Sequence, residues 1–78
     1  MIGKILKTMR REKKYTQEEL AKLAFLGRTT LSDYERMKTD INFETIEKIA
    51  DICGYEIIFK NKQTGEILTS QNINRKEI

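Results

Sequence analysis

Ile2, Ile5, Leu6 and Met9 recur at i, i+3, i+4 and i+7, the spacing that lines one face of a helix with 3.6 residues per turn. Lys4, Lys7, Arg10, Arg11, Lys13 and Lys14 surround that stripe, which predicts a first helix with a basic outer surface. Gly3, near its start, signals nothing by itself. A second stripe follows in Leu20, Leu23 and Ala24, with Glu18, Glu19 and Lys22 on the wet side. Thr16 is placed to cap this second helix: its hydroxyl accepts from the amide of residue 19, and the Glu19 carboxylate reaches back to the amide of Thr16. Tyr15 and Leu20 are spaced for the hydrophobic staple that sets the angle at which the chain turns into the helix.

Gly27 stops that helix, because glycine costs roughly 1 kcal/mol in a helix interior. A turn is expected over residues 25–27, then a third helix over 28–36 with Leu31 and Tyr34 facing inward. Its outer positions, Arg28, Thr29, Ser32 and Asp33, are short or polar and rich in donors and acceptors. After a polar loop, Asn42 caps a fourth helix over 43–53, whose inner face is Phe43, Ile46, Ile49, Ala50 and Cys53, and Gly54 ends it. From Tyr55 the period drops to two, with Tyr55, Ile57 and Phe59 alternating against Glu56, Ile58 and Lys60. That pattern predicts a strand. Residues 61–65 supply turn chemistry and 66–69 a return strand, making a β-hairpin. The expected fold is mainly α: four helices within residues 1–54, a hairpin over 55–70, and a loose polar tail over 71–78. The hairpin carries apolar residues on both faces. One face can cover the helices, while the other needs a partner, most simply the same hairpin of a second chain, so Ile57, Ile58, Phe59 and Ile67 are the expected dimerisation contacts.

With 78 residues the chain makes one small domain, for which association with a second copy would be a natural reinforcement. The net charge of +3 permits binding to an anionic polymer without demanding it. Its distribution says more: residues 1–14 hold six Lys and Arg against one Glu, whereas residues 39–56 hold one Lys against five acids. One end of the fold should therefore be electropositive. A single cysteine forms no internal disulfide, and the absence of histidine removes Cys/His metal sites, so no metal and no cofactor are expected. Cys53 falls in register with Ile46, Ile49 and Ala50, which favours a buried core residue over a redox role. No apolar run approaches the ~20 residues that span a bilayer, and the N-terminus has no signal-like apolar region. A soluble, cytoplasmic protein is expected. An enzyme is not: there is no nucleophile–base pair, no glycine-rich phosphate loop, and the acids are dispersed along helix surfaces.

The stretch TQEELAKLA, a turn, and RTTLSDYER (residues 16–36) resembles the helix-turn-helix of lambda-type phage repressors and Cro, the XRE-type regulators. The likeness runs from about residue 2 to 54. It implies a double-stranded DNA partner and a division of labour among residues. Gln17 would clamp a phosphate at the start of the second helix. Arg28, Thr29 and Asp33 would reach base edges in the major groove; Thr30, Arg36 and Lys38 would hold backbone phosphates. Arg10 and Glu35 would form a structural ion pair. The chemistry fits: Arg donates two hydrogen bonds to guanine, Thr offers a hydroxyl or a methyl group, and Asp can accept from cytosine. Asp33 has a second reading, orienting Arg28 or Arg36, since a carboxylate near phosphates is repelled. Each basic residue of the first helix can be read either as phosphate-binding or as part of a solvated face.

Three positions depart from the family pattern: Phe25 stands where glycine is usual in the turn, Gly27 where Ser or Thr usually caps the third helix, and Met37 where glycine often ends it. An aromatic residue with positive φ implies strain at the turn. The hairpin resembles the strand-type dimerisation arms of some antitoxins. Two functions follow from the resemblance. The first is a homodimeric, sequence-specific regulator, a repressor acting on a pseudo-palindromic operator. The second is an antitoxin that masks a toxin protein and regulates itself through the same helix. A third reading, an adaptor that binds only protein, would leave Arg28 without a role in DNA occupancy.

Overall fold

The computed structural model describes residues 1–69; the expected tail over 71–78 lies outside them. Within them the chain forms α1 (Ile2–Glu12), α2 (Gln17–Leu23), α3 (Arg28–Glu35), α4 (Phe43–Ile52), β1 (Phe59–Lys60) and β2 (Ile67–Leu68). The helices enclose a core in which Leu6, Leu20, Leu31 and Ile49 are fully buried, joined by Met9, Ala21, Ala24, Ala50 and Cys53. Burial pushes the Cys53 thiol above its ordinary range, with Lys13 and Arg10 pulling partly the other way, so the residue behaves as a small hydrophobe.

Local chemistry starts the helices as expected. Thr16 Oγ1 accepts from the Glu19 amide at 3.1 Å, and the Thr16 amide donates to Glu19 Oε1 at 2.8 Å, closing the capping box. The Thr45 amide donates to Asn42 Oδ1 at 2.8 Å at the head of α4. The helix ends are more distinctive. All of α1 to α4 close with the same pair of backbone bonds, in which the residue two beyond the cap donates five residues back. These bonds are Tyr15 to Arg10, Leu26 to Ala21, Lys38 to Asp33 and Tyr55 to Ala50, each 2.8 to 3.1 Å long. This is the Schellman closure, and it needs one left-handed residue. Gly54 supplies it for α4 at φ 81°, but Lys14, Phe25 and Met37 supply it elsewhere at 61°, 57° and 59°. The sequence pointed to Gly54, Phe25 and Met37; Lys14 gave no sign.

Four expectations need correction. Gly3 is buried, and a Cβ there would lie 2.4 Å from the carbonyl oxygen of Glu35, so the residue is what lets α1 approach the end of α3. Leu23 is 48% exposed while Ala21 is 2% exposed: a two-turn helix can rotate its buried face by one position at little cost, and here the smaller residue joins the core. Phe43 is also half-exposed and lies 5.9 Å centroid to centroid from Phe59 in a tilted pair, bridging α4 to the hairpin instead of entering the core. Finally, the strand expected over residues 55–60 is confined to Phe59–Lys60, paired antiparallel with Phe59 opposite Leu68 and Lys60 opposite Ile67. The Tyr55 amide is committed to closing α4, and Ile57 packs on the chain's own core. This register places the partner of any extension beyond Ile58 past Thr69, outside the described residues. The hairpin loop is an Asx turn, with Asn61 Oδ1 accepting from the amides of Gln63 and Thr64 and Gly65 in the left-handed region at φ 79°.

Candidate nucleic-acid interface

Glu35, in the last turn of α3, holds the interface together. Arg10 of α1 donates to it through Nε at 2.7 Å and Nη2 at 3.0 Å, a two-pronged bond, and sends Nη1 to the Tyr15 carbonyl at 2.9 Å. Gln17, the first residue of α2, adds a third bond, Nε2 to Glu35 Oε1 at 3.1 Å. The two charged side chains are 10% and 2% exposed, so the pair is desolvated and tolerable only because its donors and acceptors are matched. No buried side-chain polar atom among the described residues lacks a partner. Three helices thus meet on one carboxylate, which fixes the tilt of α3 against α2. Sequence resemblance pairs Arg10 with Glu35; the bond from Gln17 is visible only in three dimensions.

Gly27 begins α3 with extended φ and ψ (−74°, 150°) and no side-chain cap bond. Arg28, Thr29 and Thr30 are exposed, Leu31 is buried beneath them, and Ser32 and Asp33 are half-buried. Between the amino ends of α2 and α3 lies an open concavity of about 520 Å³ lined by Arg10, Thr16, Gln17, Glu18 and Arg28. The fold therefore brings Gln17 and Arg28 to one hollow. Thr29 stands beside it on α3, while Arg36 and Lys38 are exposed at the other end of that helix. Asp33 makes no ion pair with Arg28 or Arg36. At the turn, Phe25 is 90% exposed, with Lys48 Nζ 6.0 Å from the ring centroid. At the end of α3, Met37 Sδ accepts from the Gly3 amide at 3.2 Å, a contact with no sequence signal.

The helix-turn-helix family profile matches residues 6–59. This chain belongs to the helix-turn-helix family. The immunity repressor protein of Bacillus phage phi105 is 36% identical to it over 56 residues, covering 72% of this chain and 39% of that protein. The solved structure of SinR, the master regulator for biofilm formation, in complex with DNA superposes with a TM-score of 0.64 at 34% identity over 70% of this chain and 89% of SinR. A mutant of a restriction-modification controller protein superposes at 0.65 with 31% identity, covering 69% of this chain and 70% of that one. The chain spans well under half of the phage repressor's length. Its lambda-repressor-like fold is as the sequence implied, and the family is non-enzymatic.

For a helix-turn-helix unit, the three unusual positions now have structural consequences. Phe25 and Met37 adopt the left-handed backbone that glycine would take more cheaply, and Met37 spends its side chain on α1. Gly27 leaves the first amides of α3 uncapped at the edge of the site. No group of Cys, Asp and Glu suited to a metal occurs among the described residues, and no helix among them is long and apolar enough to cross a membrane.

Proposed function

We propose that this chain is a sequence-specific DNA-binding transcriptional regulator of repressor type, working as a homodimer on double-stranded DNA. The observation that carries the reading is the placement of Arg28 and Thr29, exposed at the head of α3, beside Gln17 held on the buried Arg10–Glu35 pair. In this reading α3 enters the major groove, Arg28, Thr29 and Asp33 meet base edges, and Gln17, Thr30, Arg36 and Lys38 meet phosphates. Residues 1–54 are the DNA-binding unit and the hairpin is the dimerisation arm, through Ile58, Phe59 and Ile67, which are 50%, 59% and 44% exposed. Two copies would set their reading helices about 34 Å apart, in successive grooves of a pseudo-palindromic operator on nucleoid DNA in the cytoplasm. The named relatives, an immunity repressor and a regulator solved with DNA, support the class.

Selection of bound duplexes from a random pool, followed by gel-shift titration, tests it. A recovered half-site and a preference of at least a hundredfold over random duplex are expected. Arg28→Ala should remove about 1–3 kcal/mol of discrimination, a factor of roughly 5 to 150, at one base position. No sequence preference at moderate salt would overturn the reading. The same exposed hairpin residues support a second reading, an antitoxin covering a toxin protein. A stoichiometric partner that co-purifies and is released by Phe59→Glu, with DNA binding unaffected, would favour it.

A further inference from the structure

The outer face of α1 carries Lys4, Lys7 and Arg11, spaced three and four residues apart and therefore aligned on one side of the helix, and Lys14 follows just beyond its end. All four are exposed, and none forms an ion pair or side-chain hydrogen bond with another of the described residues. The one acid of the helix, Glu12, is turned elsewhere and takes the Tyr55 hydroxyl proton in a hydrogen bond. Like charges in that spacing repel across each turn, and Lys4 opposes the positive end of the helix dipole; of the row only Arg11, in the last turn, is favoured by that dipole. The row's place is specific. Lys7 stands four residues after Gly3 and three before Arg10, and both of those touch Glu35. The row thus stands on the helix that packs through Gly3 and Arg10 against the last turn of α3, and beyond that turn Arg36 and Lys38 are exposed as well.

We propose that this basic row is a phosphate-tracking rail that binds duplex DNA outside the base pairs read by α3. The inference rests on the DNA-binding reading above and extends its footprint to the flanking backbone. From Lys4 to Arg11 the helix rises ~10 Å, the axial length of about three phosphates along one strand. Contacts of this kind add affinity and salt dependence equally on every sequence, because they release counterions without touching base edges. A protein partner with an acidic face would use the same charges, but it would leave DNA binding independent of them.

The test compares two variants that lose equal charge. Lys4→Gln/Lys7→Gln/Arg11→Gln strips the row, and Lys22→Gln/Lys48→Gln/Lys62→Gln strips exposed lysines of α2, α4 and the hairpin turn. Far-UV dichroism establishes that both remain helical. Fluorescence anisotropy then follows binding to a labelled random-sequence duplex of about 40 base pairs, and to the duplex recovered by selection, across salt concentrations. For the row variant the slope of log K against log salt should fall by about 2 to 3 for each bound protomer, close to 0.9 for each lost phosphate contact, on both duplexes. The preference for the selected duplex over the random one should stay within about twofold, and the control variant should keep nearly the wild-type slope. Equal slopes for the row and control variants overturn the rail. Loss of preference in the wild-type protein itself overturns the regulator reading instead, while the slope on random duplex still decides the rail.

Discussion

The helical body and the hairpin solve the problem of small size in opposite ways. In the body, leucines from three helices and Ile49 of α4 are buried completely, every buried polar side chain has a partner, and each helix is closed at its end by the same backbone motif. In the hairpin, each strand is two residues long, and Ile58, Phe59 and Ile67 stay about half in water. Two short strands cannot hold themselves together; this pair leans on α4 through the Phe43–Phe59 contact and on α1 through the Tyr55–Glu12 hydrogen bond. The difference teaches where each function can sit. A reading helix must be rigid to within a fraction of an ångström, so it belongs on the closed body. An association surface must present apolar area, and the under-packed arm presents it in Ile58, Phe59 and Ile67.

Several changes would break or sharpen that contrast. The largest effect is expected from Glu35→Ala, which strands Arg10 and frees Gln17 together; loss of one partner of a buried pair costs about 3–5 kcal/mol. Urea unfolding should show it, with Glu35→Leu combined with Arg10→Met recovering much of the loss. Gly3→Ala comes next, because the new methyl group meets the Glu35 carbonyl at 2.4 Å and α1 must back away from α3. A cost of about 1–3 kcal/mol is expected, with amide shifts in NMR concentrated at residues 34–37. Asn42→Ala removes the cap of α4 and should cost about 1 kcal/mol in thermal unfolding.

Phe59→Ala in the arm should cost under about 1 kcal/mol in a dilute monomer, yet shift the sedimentation coefficient at high concentration if the arm joins two chains. The smallest effect concerns pH. The hydrogen bond to Glu12 raises the Tyr55 hydroxyl above its ordinary value of 10.0. A group raised on folding stabilises below its unfolded value, and that contribution disappears as pH climbs through the folded one. The thermal midpoint should therefore decline above about pH 10 in the native chain, and decline less steeply in Tyr55→Phe.

What could be read in advance was local. Thr16 with Glu19, Asn42 and Gly54 interact with residues no more than five positions away, so their roles follow from spacing alone. The Arg10–Glu35 pairing was legible only through family resemblance, since nothing in the intervening residues brings the two together. Tertiary structure alone decided that Ala21 faces the core in place of Leu23, that Gly3 is a contact point, and that Met37 reaches back to α1. It also decided that the strand over residues 55–60 shrinks to its last two residues. Periodicity states that a helix or strand has an apolar side. How far that side is rotated, and how closely another backbone approaches it, depend on segments distant in the sequence, and those distances exist only once the chain has folded.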